Sequence, residues 1–557
     1  MSFVQSAPQL PDPYREDRVL QSWLARVLPD AQRRAAETDF DALAAYAQHA
    51  YARQTNTMRA EPVLTNWEVW GNRIDRIELT ETWREGPAIA AQRGLVADGH
   101  DRALGEYARV QQFAKVYLYH AASAFYSCPL AMTDGVATVL RDAPNAMLRE
   151  RILPRLLSRD PATFWISGQW MTENAGGSDV GGSETTARKG ADGNWRLTGR
   201  KWFTSAINAE IALALARPEG NPAGADGLAL FCIETRHPDG RWNGITIDRL
   251  KDKLGTRELP TAEIHLDDAR AELVGEPMHG VRAIAPVLQV TRLWNAFGSL
   301  STMARCLALT RDYAHRRTAF GKTLAEQPLF ADTLAGWEAG FEAAFHLAME
   351  VALRLGRVES GAGDAQDAAL QRLLTPLAKL WICKLGVHIA SETVEAFGGI
   401  GYLEDSGIPL LLRDAQVFPI WEGASNVQAL DFLRALDKLG IDALVDAVDA
   451  CLEEADGVVS DMDAEAIHAA IRHADTWLRD HAGDITALQA GALRLGTTCA
   501  RTLAAALLAR HAAWAQRRQG DFASANSLRR FCAHGLDRIV DALSGTAETP
   551  SPFRPSP

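Results

Sequence analysis

Apolar residues recur at every third and fourth position over 18–27, 39–53, 79–93, 103–122 and 147–157, the spacing that lays one apolar stripe along a helix. Asp39 and Thr80 are expected helix starts, because a side-chain oxygen there can accept from the first free N–H groups. From Phe164 the pattern changes to short β-branched or alternating runs at 195–198, 211–216, 228–234, 245–249 and 263–266, separated by Gly, Pro, Asp and Asn. Helical periodicity returns at 281–314, 328–360, 364–397 and 426–439, four long stripes joined by short connections, as in a helical bundle. The remainder is Ala-rich and helical in pattern, ending in a Pro-rich tail from Thr549. The predicted partition is a helical domain over 1–163, a β domain over 164–275, a helical bundle over 276–440 and an extra helical domain over 441–557.

Composition narrows this picture. A chain of 557 residues is too long for one ordinary core, and 47% hydrophobic with 23% charged residues is the balance of a soluble globular protein. The net charge of −12 gives no global sign of nucleic-acid or membrane binding. Seven scattered Cys, with no C-x-x-C spacing, read as small buried residues in a reducing compartment. The N-terminus lacks a basic segment followed by an apolar core, and no uncharged run is long enough to span a bilayer, so a soluble, cytoplasmic protein is expected. No G-x-G-x-x-G or P-loop pattern is present.

Candidate chemistry lies in four places. In Q-W-M-T-E-N-A-G-G-S-D-V, from Gln169 to Val180, the hydroxyls of Thr172 and Ser178 flank Gly176 and Gly177, where the backbone can turn tightly and approach a flat ligand. K-W-F-T-S follows at 201–205, with Trp202 and Thr204 as a face and a further donor. By chemistry alone a plain surface loop is the commoner reading. In I-W-E-G-A-S-N, Glu422 sits beside Gly423 just before a helix, where a carboxylate is also favoured by the helix dipole. The third place is Tyr313-x-x-x-Arg317-x-x-Phe320-Gly321-Lys322 with Gln327, and the fourth is E-A-F-G-G-I-G-Y, from Glu395 to Tyr402.

Together these resemble the acyl-CoA dehydrogenase family, through its T-E-x-x-x-G-S-D, K-x-W-I-T, R-x-x-F-G-K…Q, Q-x-x-G-G-x-G-[YF] and Y-E-G-T motifs, and most of all its AidB branch, which carries a long C-terminal extension. The similarity runs from about Trp67 to Leu439, and more loosely to about Asp541. The resemblance implies an α+β, mostly α fold: N-terminal helical domain, middle β-barrel-like domain and C-terminal four-helix bundle, here with the extra helical domain. It implies FAD as cofactor, an acyl-CoA substrate, an electron-transferring flavoprotein as acceptor and a homotetramer. Glu422 takes the place of the family base that removes the substrate α-proton; the alternative base position, before an Arg on the first bundle helix, is Thr291-Arg292 and offers no carboxylate.

Gln169, Met171, Thr172, Gly177, Ser178, Trp202, Phe203 and Thr204 are implied around the isoalloxazine, and Arg317 at the pyrophosphate of a neighbouring subunit's FAD. Phe320, Gln327, Glu395, Gly398, Gly399, Trp421, Ser425 and Asn426 complete the implied cofactor set. Two positions depart from the usual motifs, Glu395 for Gln and W-E-G-A-S-N for Y-E-G-T-S-Q, and the AidB branch shares the Glu and the Asn. AidB-like proteins are reported to bind DNA through a basic surface of the extension. The comparable residues are Arg494, Arg501, Arg510, Arg517, Arg518, Arg529, Arg530 and Arg538, with Arg494/Arg501 and Arg510/Arg517 spaced to share helix faces. Twelve acidic residues in 441–493 offer them partners instead, and the extension as a whole is net acidic, so pairing or assembly is the favoured reading there.

Overall fold

The computed structural model describes residues 5–56 and 60–540. The Pro-rich tail lies outside them. Residues 5–16 run without regular structure along the protein, held where the Tyr51 hydroxyl donates to the Pro8 carbonyl (3.0 Å) and the Gln9 N–H donates to Asp312 (2.8 Å). The first helical layer comprises α1 (Arg18–Val27), α2 (Asp30–Asn56), α3 (Glu81–Gln92), α4 (Ala108–His120), α5 (Ser127–Arg141) and α6 (Ala146–Leu156).

Three features of this layer differ from the periodicity. Helix α2 starts at Asp30, so Asp39 lies inside it; its carboxylate accepts from Lys115 (2.6 Å) and Arg93 (3.2 Å) instead of capping. Thr80 does occupy the N-cap of α3, but its hydroxyl donates to Glu258 (2.6 Å). Between α2 and α3 a hairpin of β1 (Val63–Trp67) and β2 (Arg73–Glu78) packs on the β domain, where Asp75 accepts the Ile247 N–H (3.0 Å) and Leu64 and Ile77 join the barrel core.

The β domain contains β3 (Ser167–Trp170), β4 (Thr186–Lys189), β5 (Trp195–Ser205), β6 (Ile211–Pro218), β7 (Ala229–Glu234), β8 (Ile245–Leu250) and β9 (Thr261–Leu273). Strand β6 pairs with β7 along one edge and with β3, then β4, along the other; β4 continues through β5 and β9 back to β7. The pairings therefore close on themselves, leaving a small barrel filled by Ala, Ile, Leu and Phe side chains. A bulge interrupts β5 against β9 between Lys201 and Thr204.

After the one-turn α7 (Gly280–Ala283) come α8 (Ala285–Arg316), a two-residue hairpin of β10 (Thr318–Ala319) and β11 (Lys322–Thr323), α9 (Pro328–Ser360), α10 (Ala365–Ala396), the short α11 (Ile408–Ala415) and α12 (Ser425–Leu439). Asp364 starts α10 with a reciprocal capping box to Asp367. By length and composition α10 is apolar enough to cross a membrane, but most of it is buried at the centre of the bundle. The extension adds α13 (Asp442–Glu454), α14 (Asp461–Asp480), α15 (Ile485–Gln519) and α16 (Ala523–Ala533). One continuous apolar core joins α1, α2, the bundle and all four helices of the extension. The architecture is thus mostly helical, with a β barrel between two helical parts. All seven Cys are free and buried.

Candidate functional site

A cavity of about 510 Å³ lies where the barrel meets the two helical layers. Helix α8 presents Leu288, Thr291, Arg292 and Asn295 to it, a face spaced by three and four, and α5 presents Ser127, Cys128, Ala131 and Met132. The barrel contributes Gln169, Met171, Thr172, Gly177, Ser178, Phe203 and Ser205, and the turn before α12 contributes Trp421, Glu422 and Gly423.

Helices α10 and α12 hold that turn. The Glu422 carbonyl accepts from Gln428 (2.8 Å), and the Gly423 carbonyl accepts from Gln428 (3.0 Å) and from Lys379 of α10 (2.6 Å). Glu422 has φ 57 and Gly423 φ 96, so the chain passes through the left-handed region twice in succession. That costs energy at a non-glycine residue, and such strain concentrates at functional positions. At Gly423 a Cβ would stand 2.6 Å from Gln428 Nε2 and would displace the amide that holds the turn. The result is a half-buried Glu422 carboxylate aimed at the cavity.

Its Oε2 accepts from the Thr291 hydroxyl (2.9 Å) and weakly from Gln169 (3.5 Å). The surrounding protein raises its pKa above the ordinary carboxylate value; the Thr291 and Gln169 hydrogen bonds and the charges of Arg292 and Lys379 oppose the rise without cancelling it. Thr291 and Glu422, far apart in sequence, are therefore adjacent in space.

No other group lining the cavity suits proton abstraction as well. Burial depresses His120 to about 3, and its Nδ1 is engaged with Ser127 (2.7 Å). Burial keeps the Cys128 thiol protonated. Lys253 drops to about 8 by burial, but its Nζ donates to the Leu259 carbonyl (2.7 Å) and the Thr261 hydroxyl (2.9 Å).

The two barrel motifs are stitched together. Glu173 accepts from Lys201 Nζ (2.6 Å), the Thr185 hydroxyl (2.6 Å) and the Glu184 N–H (2.6 Å), all but sealed from solvent. The Trp202 N–H donates to the Thr172 carbonyl (3.0 Å). The Gly-rich turn and the middle of β5 thus form one wall. On it Phe203 and Ser205 face the cavity, and Trp202 and Thr204 do not: the Thr204 hydroxyl is buried and donates to the Ala262 carbonyl (2.7 Å), while Lys251 sits 3.2 Å over the Trp202 ring. In the cavity lining, therefore, Phe203 and Ser205 appear and the Trp202 and Thr204 side chains do not, with Ser205 supplying the inward hydroxyl.

The wall carries unclaimed polar groups. Gln169 Oε1 is buried without a hydrogen-bond partner, and among the described residues the Thr172 and Ser178 hydroxyls make no hydrogen bond. Among the expected cofactor residues, Arg317, Phe320, Gln327, Glu395, Gly398, Gly399, Ser425 and Asn426 do not line this cavity. The helix ends that lead into the R-x-x-F-G-K hairpin and the F-G-G-I-G-Y turn instead meet each other, since Tyr313 near the end of α8 stacks on Phe397 at the end of α10 (4.3 Å between rings). Gln327 pins the hairpin by donating to the Ala319 carbonyl (3.0 Å), leaving Phe320 fully exposed at its tip and Tyr402 84% exposed nearby in sequence to Phe397.

The arginines of the extension do not form a free stripe. Arg510 is 15% exposed and paired with Glu350 of α9 (2.7 Å), Arg530 pairs with Asp332 (2.6 Å), and Arg501 and Arg517 donate to the carbonyls of Gly535, Glu454 and Asp456. Arg538 donates to the His534 carbonyl (3.3 Å), while Arg494, Arg518 and Arg529 make no such contact among the described residues. The two carboxylates that pair with these arginines, Glu350 and Asp332, lie on the bundle, and the carbonyls that Arg501, Arg517 and Arg538 reach belong to the extension.

Sequence reasoning missed Ser205, Lys253 and the helix residues His120, Ser127, Cys128 and Asn295. Apart from Ser205, the last residue of K-W-F-T-S, none belongs to a short motif; they reach the cavity because α4, α5 and α8 converge there with the barrel.

Three family patterns match the chain: the adaptive response protein AidB N-terminal domain over residues 6–161, the acyl-CoA dehydrogenase middle domain over 168–269 and the acyl-CoA dehydrogenase C-terminal domain over 278–436. Acyl-CoA dehydrogenase family member 11 of Caenorhabditis elegans is 40% identical over 445 residues, 78% of this chain and 72% of that protein. The putative acyl-CoA dehydrogenase AidB of Escherichia coli (strain K12) is 34% identical over 389 residues, 68% of this chain and 69% of that protein. The crystal structure of Caenorhabditis elegans ACDH-11 in complex with C11-CoA superimposes with a TM-score of 0.92 at 35% identity, covering 97% of this chain and 94% of that one.

Proposed function

The chain belongs to the acyl-CoA dehydrogenase family and is an oxidoreductase of its AidB-like branch, and on that premise we propose that it oxidises an acyl-CoA to the 2,3-enoyl-CoA with Glu422 as the base. The observation that carries this reading is the Glu422 carboxylate, held in a strained turn, raised in pKa and turned into the cavity beside Thr291. A base for the proton next to a thioester carbonyl works best when its pKa is lifted toward the working pH in a dry site. The Thr291 hydroxyl orients the carboxylate, and Trp421, fixed by its indole N–H on Asn295, walls the same end of the cavity.

The unpartnered Gln169 Oε1 and the free Thr172 and Ser178 hydroxyls, on a wall where glycine leaves room, fit the polar edge of a flavin. Those three residues with Met171, Gly177, Phe203 and Ser205 would hold FAD, which when bound supplies the two-electron acceptor for the β-carbon. The Arg317–Phe320 hairpin lies apart from this wall with its aromatic tip exposed, which supports a homotetramer in which it serves a neighbour's cofactor. An electron-transferring flavoprotein completes the proposal as acceptor.

Anaerobic titration of the flavin-loaded protein with straight and branched acyl-CoAs tests it. Bleaching of the flavin by one chain class is expected, and Glu422→Gln should slow it by about 10²- to 10⁴-fold while FAD stays bound. Undiminished bleaching in that variant removes Glu422 from the role.

A further inference from the structure

A second, larger cavity of about 950 Å³ lies between the N-terminal arm, α8, α9 and α16, and shares no lining residue with the Glu422 cavity. Helix α8 runs along it with Ser301, Ala304, Arg305, Ala308, Arg311 and Asp312, one continuous face at three- and four-residue spacing. Leu118, Leu307 and Phe341 give it apolar walls, and the arm crosses its mouth, anchored by Gln48 donating to the Leu10 carbonyl (3.2 Å).

Arg305 is the anomaly in this lining. It is 5% exposed, and its acceptors are neutral: the Ala121 carbonyl at the end of α4 and the Gln54 amide oxygen (3.4 Å), both reached through Nη1. No carboxylate pairs with it among the described residues; besides the two hydrogen bonds through Nη1, its guanidinium carbon lies 5.8 Å from the Tyr51 ring centre. The other guanidiniums of the cavity are neutralised, Arg18 by Glu342 (2.6 Å) and Arg311 by Glu338 (2.5 Å). Burial with no nearby acid depresses Arg305 to about 10. A buried cation without a counter-charge is costly, and a bound anion relieves that cost.

We infer that this cavity is a second ligand site, for a free monocarboxylate with a medium-length apolar tail, its head group on Arg305 and its tail along the apolar walls. The volume exceeds what a small inorganic anion needs and falls within the range of small-molecule sites. The arm lies across the mouth through which the ligand enters.

Calorimetric titration of the flavin-loaded protein with decanoate tests this. One decanoate per chain is expected to bind, with decanol much weaker. Arg305→Gln should weaken decanoate roughly 10- to 100-fold, the loss of a charge-assisted hydrogen bond. Arg305→Lys should keep most of the affinity, whereas Ala308→Trp, which fills the cavity without touching the cation, should abolish binding. Absence of decanoate binding, equal affinity in Arg305→Gln, or binding that survives Ala308→Trp overturns the inference. Should Arg305→Gln fail to fold, Ala308→Trp decides alone.

Discussion

A single carboxylate, Glu422, gathers the chemistry, and its neighbour Thr291 sets its readiness. The hydroxyl donates to the charged form, so it lowers the pKa that burial raises. Thr291→Val removes that donor, and the Glu422 pKa should climb further. Since the base must be ionised, the acid limb of the kcat/KM–pH profile should move to higher pH, with activity largely recovered on the alkaline side. A limb that stays in place would mean that the hydrogen bond does not form in the working enzyme. The Glu-Gly pair at 422–423 was legible in the sequence as a candidate acid; its contact with Thr291 was not, because 131 positions separate them.

At the scale of elements, the wall of the site depends on a buried ion pair. Burial by itself would raise Glu173, but the Lys201 charge and the Thr185 and Glu184 hydrogen bonds outweigh it and leave the carboxyl below its ordinary range. That stabilisation is present above the unfolded-state pKa and is lost as pH falls through the depressed folded value. Lys201→Met strands a buried carboxylate and should destabilise the protein by about 3–5 kcal/mol in chemical denaturation. The companion change Glu173→Leu/Lys201→Met should regain much of the loss. The same wall separates what patterning reveals from what it conceals. Strands β6 and β7 announce themselves by apolar runs, because both are buried. Strand β5 carries a bulge between Lys201 and Thr204, and nothing in K-W-F-T-S declares which side chains turn inward. A direct check follows: Ser205→Ala should perturb the flavin absorbance or FAD affinity, while Thr204→Val should cost about 1 kcal/mol of stability and leave the flavin spectrum alone.

Across the whole molecule, the extension is welded to the bundle rather than appended to it. Helix α15 lies against the bundle, and Arg510 meets Glu350 deep in that contact, where Arg354 also pairs with the same carboxylate. Of the arginines that looked like a basic stripe by spacing, Arg510 and Arg530 are consumed in this docking. Arg510→Ala should destabilise the chain by roughly 2–4 kcal/mol in thermal or urea unfolding, since it half-strands a buried acid. An unchanged midpoint would show the contact to be dispensable. The lengths of the bundle helices and the change of character at Phe164 could be read from periodicity, whereas it misses α5 and starts α2 at Asp39 instead of Asp30. The attachment of the β1–β2 hairpin to the barrel and of α15 to the bundle could not, because such contacts are made between stripes that look alike in sequence.

The thiols turn this architecture into a clock. Cys306 and Cys383 in the bundle and Cys451, Cys499 and Cys532 in the extension share one core, while Cys232 belongs to a separate cluster under the barrel. Burial holds all of them in the unreactive protonated form. Under pulsed alkylation in rising denaturant, the first five should therefore become modified in a single step, bundle and extension together, with Cys232 following its own schedule. Earlier modification of the three extension thiols would reveal a hinge where the packing shows a seam.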